Sequence, residues 1–188
     1  DGEPLIGISA GRSFRFSFTN QKMVASLLQF LEQTPNLWPG RAAPDPDLVG
    51  AMAGAGAAFL FPYTMHTVKW MDERYSQDMA DHFEKEFKAR FPIGRFEHQG
   101  NIESGVGDFF RPAPQEQVVV DTFVARVSPV PPNSILALPT QTVRMRRFLI
   151  HLRERSPPDA RNLVILNGDS IPFHAVYRDR DVIWNILA

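Results

Sequence analysis

Residues 66–87 read HTVKWMDERYSQDMADHFEKEF, and their periodicity changes once, partway through. Thr67, Val68, Trp70 and Met71 suit a strand spanning 66–71. Beyond it, Met79, Phe83 and Phe87 recur every four residues, which is one stripe of a helix. Ser76 is placed to cap that helix. Asp78 and Asp81 near its start, with Lys85, Lys88 and Arg90 near its end, suit the helix dipole. A strand that runs through a five-residue polar tip into a long helix is the first half of a parallel crossover unit.

The same alternation continues along the chain. RFEHQ (95–99) reads as a second strand, less buried than the first. Val120, Phe123, Val124 and Val127 mark a helical face that begins near Pro114. SILAL (134–138) is a third strand, and Thr140 opens a helix with Met145, Phe148, Leu149 and Leu152 inward. Pro157-Pro158 closes that helix, and LVIL (163–166) is a fourth strand. Runs such as ILAL and LVIL are apolar on both faces, as a parallel sheet covered by helices requires. The expected fold is therefore α/β, a doubly wound, mostly parallel sheet with helices on both faces, a Rossmann-like lobe.

Upstream, PLIGIS (4–9) and FRFSF (14–18) read as short strands. Val24, Leu27, Leu28 and Leu31 then mark a helix from Gln21, with Thr19 or Asn20 as its N-cap. Pro35, Pro39, Pro44 and Pro46 break regular structure and lead into an Ala/Gly-rich stretch, so residues 35–62 read as an insertion. The last segment, YRDRDVIWNILA (177–188), is amphipathic.

Composition narrows the function classes. At 188 residues the chain is long enough to bury a core. A net charge of −1 with mixed signs gives no basic stripe, so no nucleic-acid partner is expected. With no cysteine, disulfides and thiolate chemistry are excluded. The longest apolar run, LVGAMAGAGAAFLF (48–61), is shorter than the roughly 18–20 residues of a spanning helix, so no membrane insertion is expected. His66, His82, His98, His151 and His174 are scattered without ligand spacing, and no Gly-rich loop ends in Gly-Lys-Ser/Thr. Neither a metal nor a cofactor is expected.

In an open parallel sheet, ligands bind beyond the carboxyl ends of the strands. Four tips qualify: Asp72-Glu73-Arg74-Tyr75-Ser76, Gly100-Asn101-Ile102-Glu103-Ser104-Gly105, Pro139-Thr140-Gln141 and Gly168-Asp169-Ser170. The last resembles the nucleophile block of Gly-Asp-Ser-Leu esterases. However, position 171 is Ile, the block lies near the end, and no Asp-x-x-His pair follows to supply a base. Gly168-Asp169-Ser170 is read as the rim of a cleft.

Three stretches carry a broader resemblance: FRFSFTNQKM (14–23), VKWMDERYSQDMADHFEKEF (68–87) and HQGNIESGVGDFF (98–110). Together with SILALP and LVILNGD, their order resembles the type 1 periplasmic binding-protein fold, in particular branched-chain amino-acid type solute-binding proteins and receptor ligand-binding domains. The resemblance implies that residues 1–20 are the end of a first lobe and the hinge crossing, and that 21–188 form a second lobe. It implies a non-catalytic protein outside the cytoplasm, in the periplasm or its equivalent, binding a small solute such as an amino acid. It would serve an ABC-transporter permease or a receptor module. Carried over, Tyr75 and Ser76, Glu103 and Ser104, and Asp169 and Ser170 are the expected ligand-binding residues. Two alternatives from other classes are a protein-interaction module on the same scaffold, with 48–61 as its contact surface, and an esterase using Ser170.

Overall fold

A computed structural model describes residues 19–34, 63–103, 113–127, 134–155 and 163–167. The expected strands at 4–9 and 14–18, the insertion at 35–62, the segment 177–188, and Ser104, Asp169 and Ser170 lie outside the described residues. The elements in chain order are α1 (Asn20–Gln33), β1 (Thr64–Trp70), α2 (Arg74–Arg90), β2 (Arg95–Ile102), α3 (Pro114–Val127), β3 (Ser134–Ala137), α4 (Thr142–Arg155) and β4 (Val164–Leu166). The four strands form one sheet in the order β2-β1-β3-β4, and every neighbouring pair is parallel. The α/β class and the alternation expected from sequence are what the molecule has.

Side-chain parity assigns the helices to the two faces. Val68 and Trp70 of β1, with Leu136 of β3 and Leu138 just after it, pack against Val120 and Phe123 of α3 and Phe148, Leu149 and Leu152 of α4. Met65 of β1, with Ile135 and Ala137 of β3, packs against Leu28 and Leu31 of α1 and Met79, Phe83 and Phe87 of α2. The stripe that defined α2 in the sequence is fully buried, and each such side chain contributes about 1.5–3 kcal/mol by leaving water. Thr19 caps α1 as expected, its Oγ1 accepting from Lys22 N–H at 3.3 Å. Ser76 does not cap α2. The helix starts two residues earlier, with Glu73 at the N-cap position.

A bulge divides β2. Thr67 pairs with His98, but Val68 pairs with Gly100, so Gln99 is the extra residue. Inserting one residue reverses which face the following side chains occupy. Phe96 accordingly packs on the α1/α2 face and Ile102 on the α3/α4 face, although they are an even number of residues apart. Gly100 lets α3 come close, since a Cβ there would sit 3.1 Å from Val119 Cγ2.

The bulge also turns Gln99 inward onto a buried histidine. Gln99 Nε2 lies 2.9 Å from His66 Nδ1. An amide nitrogen can only donate, so Nδ1 accepts and the neutral ring carries its proton on Nε2. That atom is buried with no hydrogen-bond partner, and the ring meets Phe123 edge-on at 5.3 Å. Burial holds His66 below its ordinary value of 6.5, with the nearby Glu97 carboxylate pulling weakly the other way.

A second buried polar group sits between α3 and α4. Glu116 is fully buried and Arg147 is 2% exposed. Arg147 Nε donates to Glu116 Oε2 at 2.9 Å, and Nη2 donates to Oε1 at 2.6 Å. The Trp70 indole N–H donates to Oε1 at 3.1 Å, and Ala113 N–H donates to Oε2 at 3.0 Å. The carboxylate thus accepts two bonds on each oxygen.

Removing one partner of this pair leaves an uncompensated buried charge. Arg147→Met is expected to cost about 3–5 kcal/mol, while Arg147→Met combined with Glu116→Gln recovers a large part of the loss; urea unfolding of the two variants measures the difference. His66 gives a pH signature of defined sign. Its folded pKa is depressed, so between that value and 6.5 the unfolded chain binds the proton more than the folded chain does. The contribution is fully present above the unfolded value and is lost as pH falls through 6.5. Relative to wild type, His66→Leu is therefore expected to become progressively more stable between pH 7.5 and pH 5.5, which parallel denaturation series at the two pH values would reveal.

Candidate functional site

The strand order determines where to look. From β1 the chain crosses over α2 to β2 on one side, and it later returns over α3 to β3 on the other side of β1. The crossovers leave β1 and β3 in opposite directions, so their carboxyl ends flank a topological switch point, the position at which open α/β sheets bind ligands.

Two tips meet there. After β1, Met71 N–H donates to Ile102 O and Glu73 N–H to Trp70 O, holding Asp72 and Glu73 in a tight turn ahead of α2. After β3, Leu138 N–H donates to Leu166 O and Thr140 N–H to Leu138 O. This turn aims the buried Thr140 hydroxyl at Glu73, donating to Oε2 at 2.7 Å. Arg144, in the first turn of α4, spans the same gap. It makes a bidentate pair with Asp72 at 2.6 and 3.0 Å and reaches Glu73 Oε2 at 3.4 Å. Asn167 at the end of β4 donates through Nδ2 to Thr140 O at 3.4 Å and contacts Met145 Sδ, so three of the four tips are joined.

Glu73 is the least satisfied group of this set. It is 7% exposed, and its Oε1 has no hydrogen-bond partner. As the residue preceding α2 it makes no side-chain capping bond to its own helix, although an acidic side chain in that position commonly does.

The residues expected from sequence are distributed differently. Tyr75 is half-buried beside the α1/α2 cluster. Ser76 is fully buried, and its Oγ accepts from Trp70 N–H at 3.0 Å, which satisfies the donor at the end of β1. Glu103 is exposed at the tip of β2, its N–H bonded to Gln115 Oε1 at 2.9 Å, on the far side of β1 from the switch point. The residues brought together are Asp72, Glu73, Thr140, Arg144 and Asn167. The first three were within the polar tips read from sequence. Arg144 carried no signal there, since its use depends on which strand lies beside β1.

Among the described residues, no group of three or more His, Asp or Glu side chains is arranged to hold a metal ion, and no helix is long and apolar enough to cross a membrane. The described site can hold a charge and orient donors around it.

Ser76→Ala separates a structural serine from one that only touches ligand. It leaves the Trp70 N–H buried without an acceptor, for an expected loss of about 1–3 kcal/mol in urea unfolding. A serine serving only as a rim contact would change stability by less than about 0.5 kcal/mol. Compared with protein-family models, with curated proteins and with solved structures, the chain matches none.

Proposed function

We propose that the chain is a non-catalytic lobe that binds a small solute, an amino acid or a similar molecule, at the carboxyl edge of its sheet. The reading follows the resemblance to type 1 periplasmic binding proteins, in which a solute is held between two such lobes. In this reading the lobe works outside the cytoplasm and passes its occupancy to a transporter permease or a receptor module.

One observation carries the proposal. The polar groups of three strand tips converge on the β1/β3 switch point, with the buried Glu73 carboxylate only partly satisfied among them. Short connections from rigid strands position such a set with little freedom to lose on binding. Tyr75, one residue into α2, is half-buried against the α1/α2 cluster, and the resemblance makes its ring, apolar with a polar end, a ligand contact. The N-termini of α2 and α4, which follow β1 and β3, lie at the same edge.

Thermal unfolding with a panel of amino acids and small polar solutes tests this reading. A ligand at about 100 times its dissociation constant adds about 2.7 kcal/mol. For a chain of this size that raises Tm by roughly 2–4 °C per kcal/mol. The expected result is a rise of several degrees with at least one solute, reduced in Tyr75→Ala. No rise across the panel at saturating concentrations overturns the proposal.

A further inference from the structure

We infer that Glu73 is the anionic anchor for a cationic nitrogen, the ammonium or amidinium of a small amine, bound at the switch point between the tips of β1 and β3. The inference rests on the solute-binding reading and names the chemistry of its ligand.

Two buried carboxylates in the same molecule frame the argument. Glu116, with no exposure, has a donor for every demand: Arg147 twice, the Trp70 indole and the Ala113 N–H. Glu73 is almost as deeply buried, yet one oxygen has the Thr140 hydroxyl and a long 3.4 Å contact to Arg144, and the other has nothing. An ionised carboxylate accepts through both oxygens, about four lone-pair sites in all. Leaving one oxygen bare in a buried setting is costly, and such an atom marks a missing partner. Where a carboxylate is purely structural, as at Glu116, this chain provides all the donors itself.

Charge decides the sign of the missing partner. Among the described residues bonded to one another here, Asp72 and Glu73 are carboxylates and Arg144 is the cation, and the Arg144 guanidinium is already engaged in two short bonds with Asp72. The unmet valence is that of a carboxylate oxygen, so a donor is required and one carrying positive charge makes the stronger bond. The orientation of the side chain agrees. Glu73 precedes α2 but makes no capping bond to it, and it faces across the switch point to Thr140 instead.

Oε1 has essentially no contact with bulk water, so a ligand reaches it by shifting a neighbouring side chain. Arg144, a fifth exposed, is the partner with room to lift from Glu73 while it keeps Asp72. An incoming ammonium would replace the long guanidinium contact with a short charge-assisted bond.

The test uses probes of defined charge on the whole chain: putrescine and benzamidine as cations, N-acetylleucine and succinate as anions, and glucose as a neutral solute. Two readouts are followed, thermal unfolding and the carbon-13 shift of the Glu73 carboxyl. The expected result is stabilisation by putrescine or benzamidine, a shift of the Glu73 carboxyl resonance on saturation, and roughly 10- to 100-fold weaker binding in Glu73→Gln. Stabilisation by N-acetylleucine, succinate or glucose alone, undiminished in Glu73→Gln, overturns the cation anchor and leaves solute binding standing. No response to any probe overturns the anchor, and the amino-acid panel above decides solute binding separately. If Glu73→Gln does not fold, the carboxyl resonance of the unaltered chain decides, and its failure to move with saturating benzamidine overturns the anchor.

Discussion

A carboxylate with no access to water, Glu116 of α3, ties its own helix to two other elements, α4 and β1. Its oxygens hold the Arg147 guanidinium from α4, the indole of Trp70 from the end of β1 and the backbone of Ala113 ahead of α3. Burying an ion pair costs several kcal/mol per charge in lost solvation, and packed apolar groups of the same volume often give equal stability. What a bidentate pair adds is direction, because the guanidinium and carboxylate planes must align. Here it fixes the rotation of α4 against α3 and ties both to the last residue of β1. Arg144 lies one turn before Arg147 on α4, and Glu73 lies three residues after Trp70. The placement of Glu73 and Arg144 at the switch point is therefore tied to the buried pair behind it.

The bulge at Gln99 does comparable work at the other side of β1. Without it, β2 would present Phe96 and Ile102 to the same face, and one of the two cores would lose a large apolar side chain. With it, both cores are filled, and Gln99 is turned to meet His66. Arg126 of α3 reaches Gln99 Oε1 at 3.4 Å, so the same residue links β2, β1 and α3. A neutral histidine accepting one bond suits that burial, which disfavours the charged form.

Most of the fold was legible in the sequence because its signals are periodic. The four-residue repeat of Met79, Phe83 and Phe87 and the apolar runs ILAL and LVIL each report a local geometry that tertiary contacts then reinforced. What was not legible depends on neighbours far away in the chain. On α4 the stripe Met145, Phe148, Leu149 and Leu152 was visible as a core face. Arg144, Arg147 and His151 form a second stripe at i, i+3 and i+7, and an amphipathic reading sends such a polar stripe to solvent. In the folded chain that flank meets Asp72, Glu116 and Asp121 instead, so two of its three members, Arg147 and His151, are buried. Ser76 was misplaced for the same reason. A hydroxyl near a helix start suggests a cap, and only the return of the β1 end reveals that it serves Trp70 N–H.

The position of the candidate site follows from one topological fact that no single segment carries. Four polar tips were visible in the chain, but they are equivalent until the strand order is known. Once β3 is placed beside β1, with β2 on the far side, the tips of β1 and β3 flank the switch point, and Glu103 at the tip of β2 falls outside it. Asp72, Glu73, Thr140 and Arg144 then come together from positions up to 72 residues apart. Each is held by a short turn from a buried strand or by the first turn of a helix. A partly unsatisfied polar set is poorly suited to stabilising the fold, because it retains the desolvation cost of Glu73 without a full complement of donors.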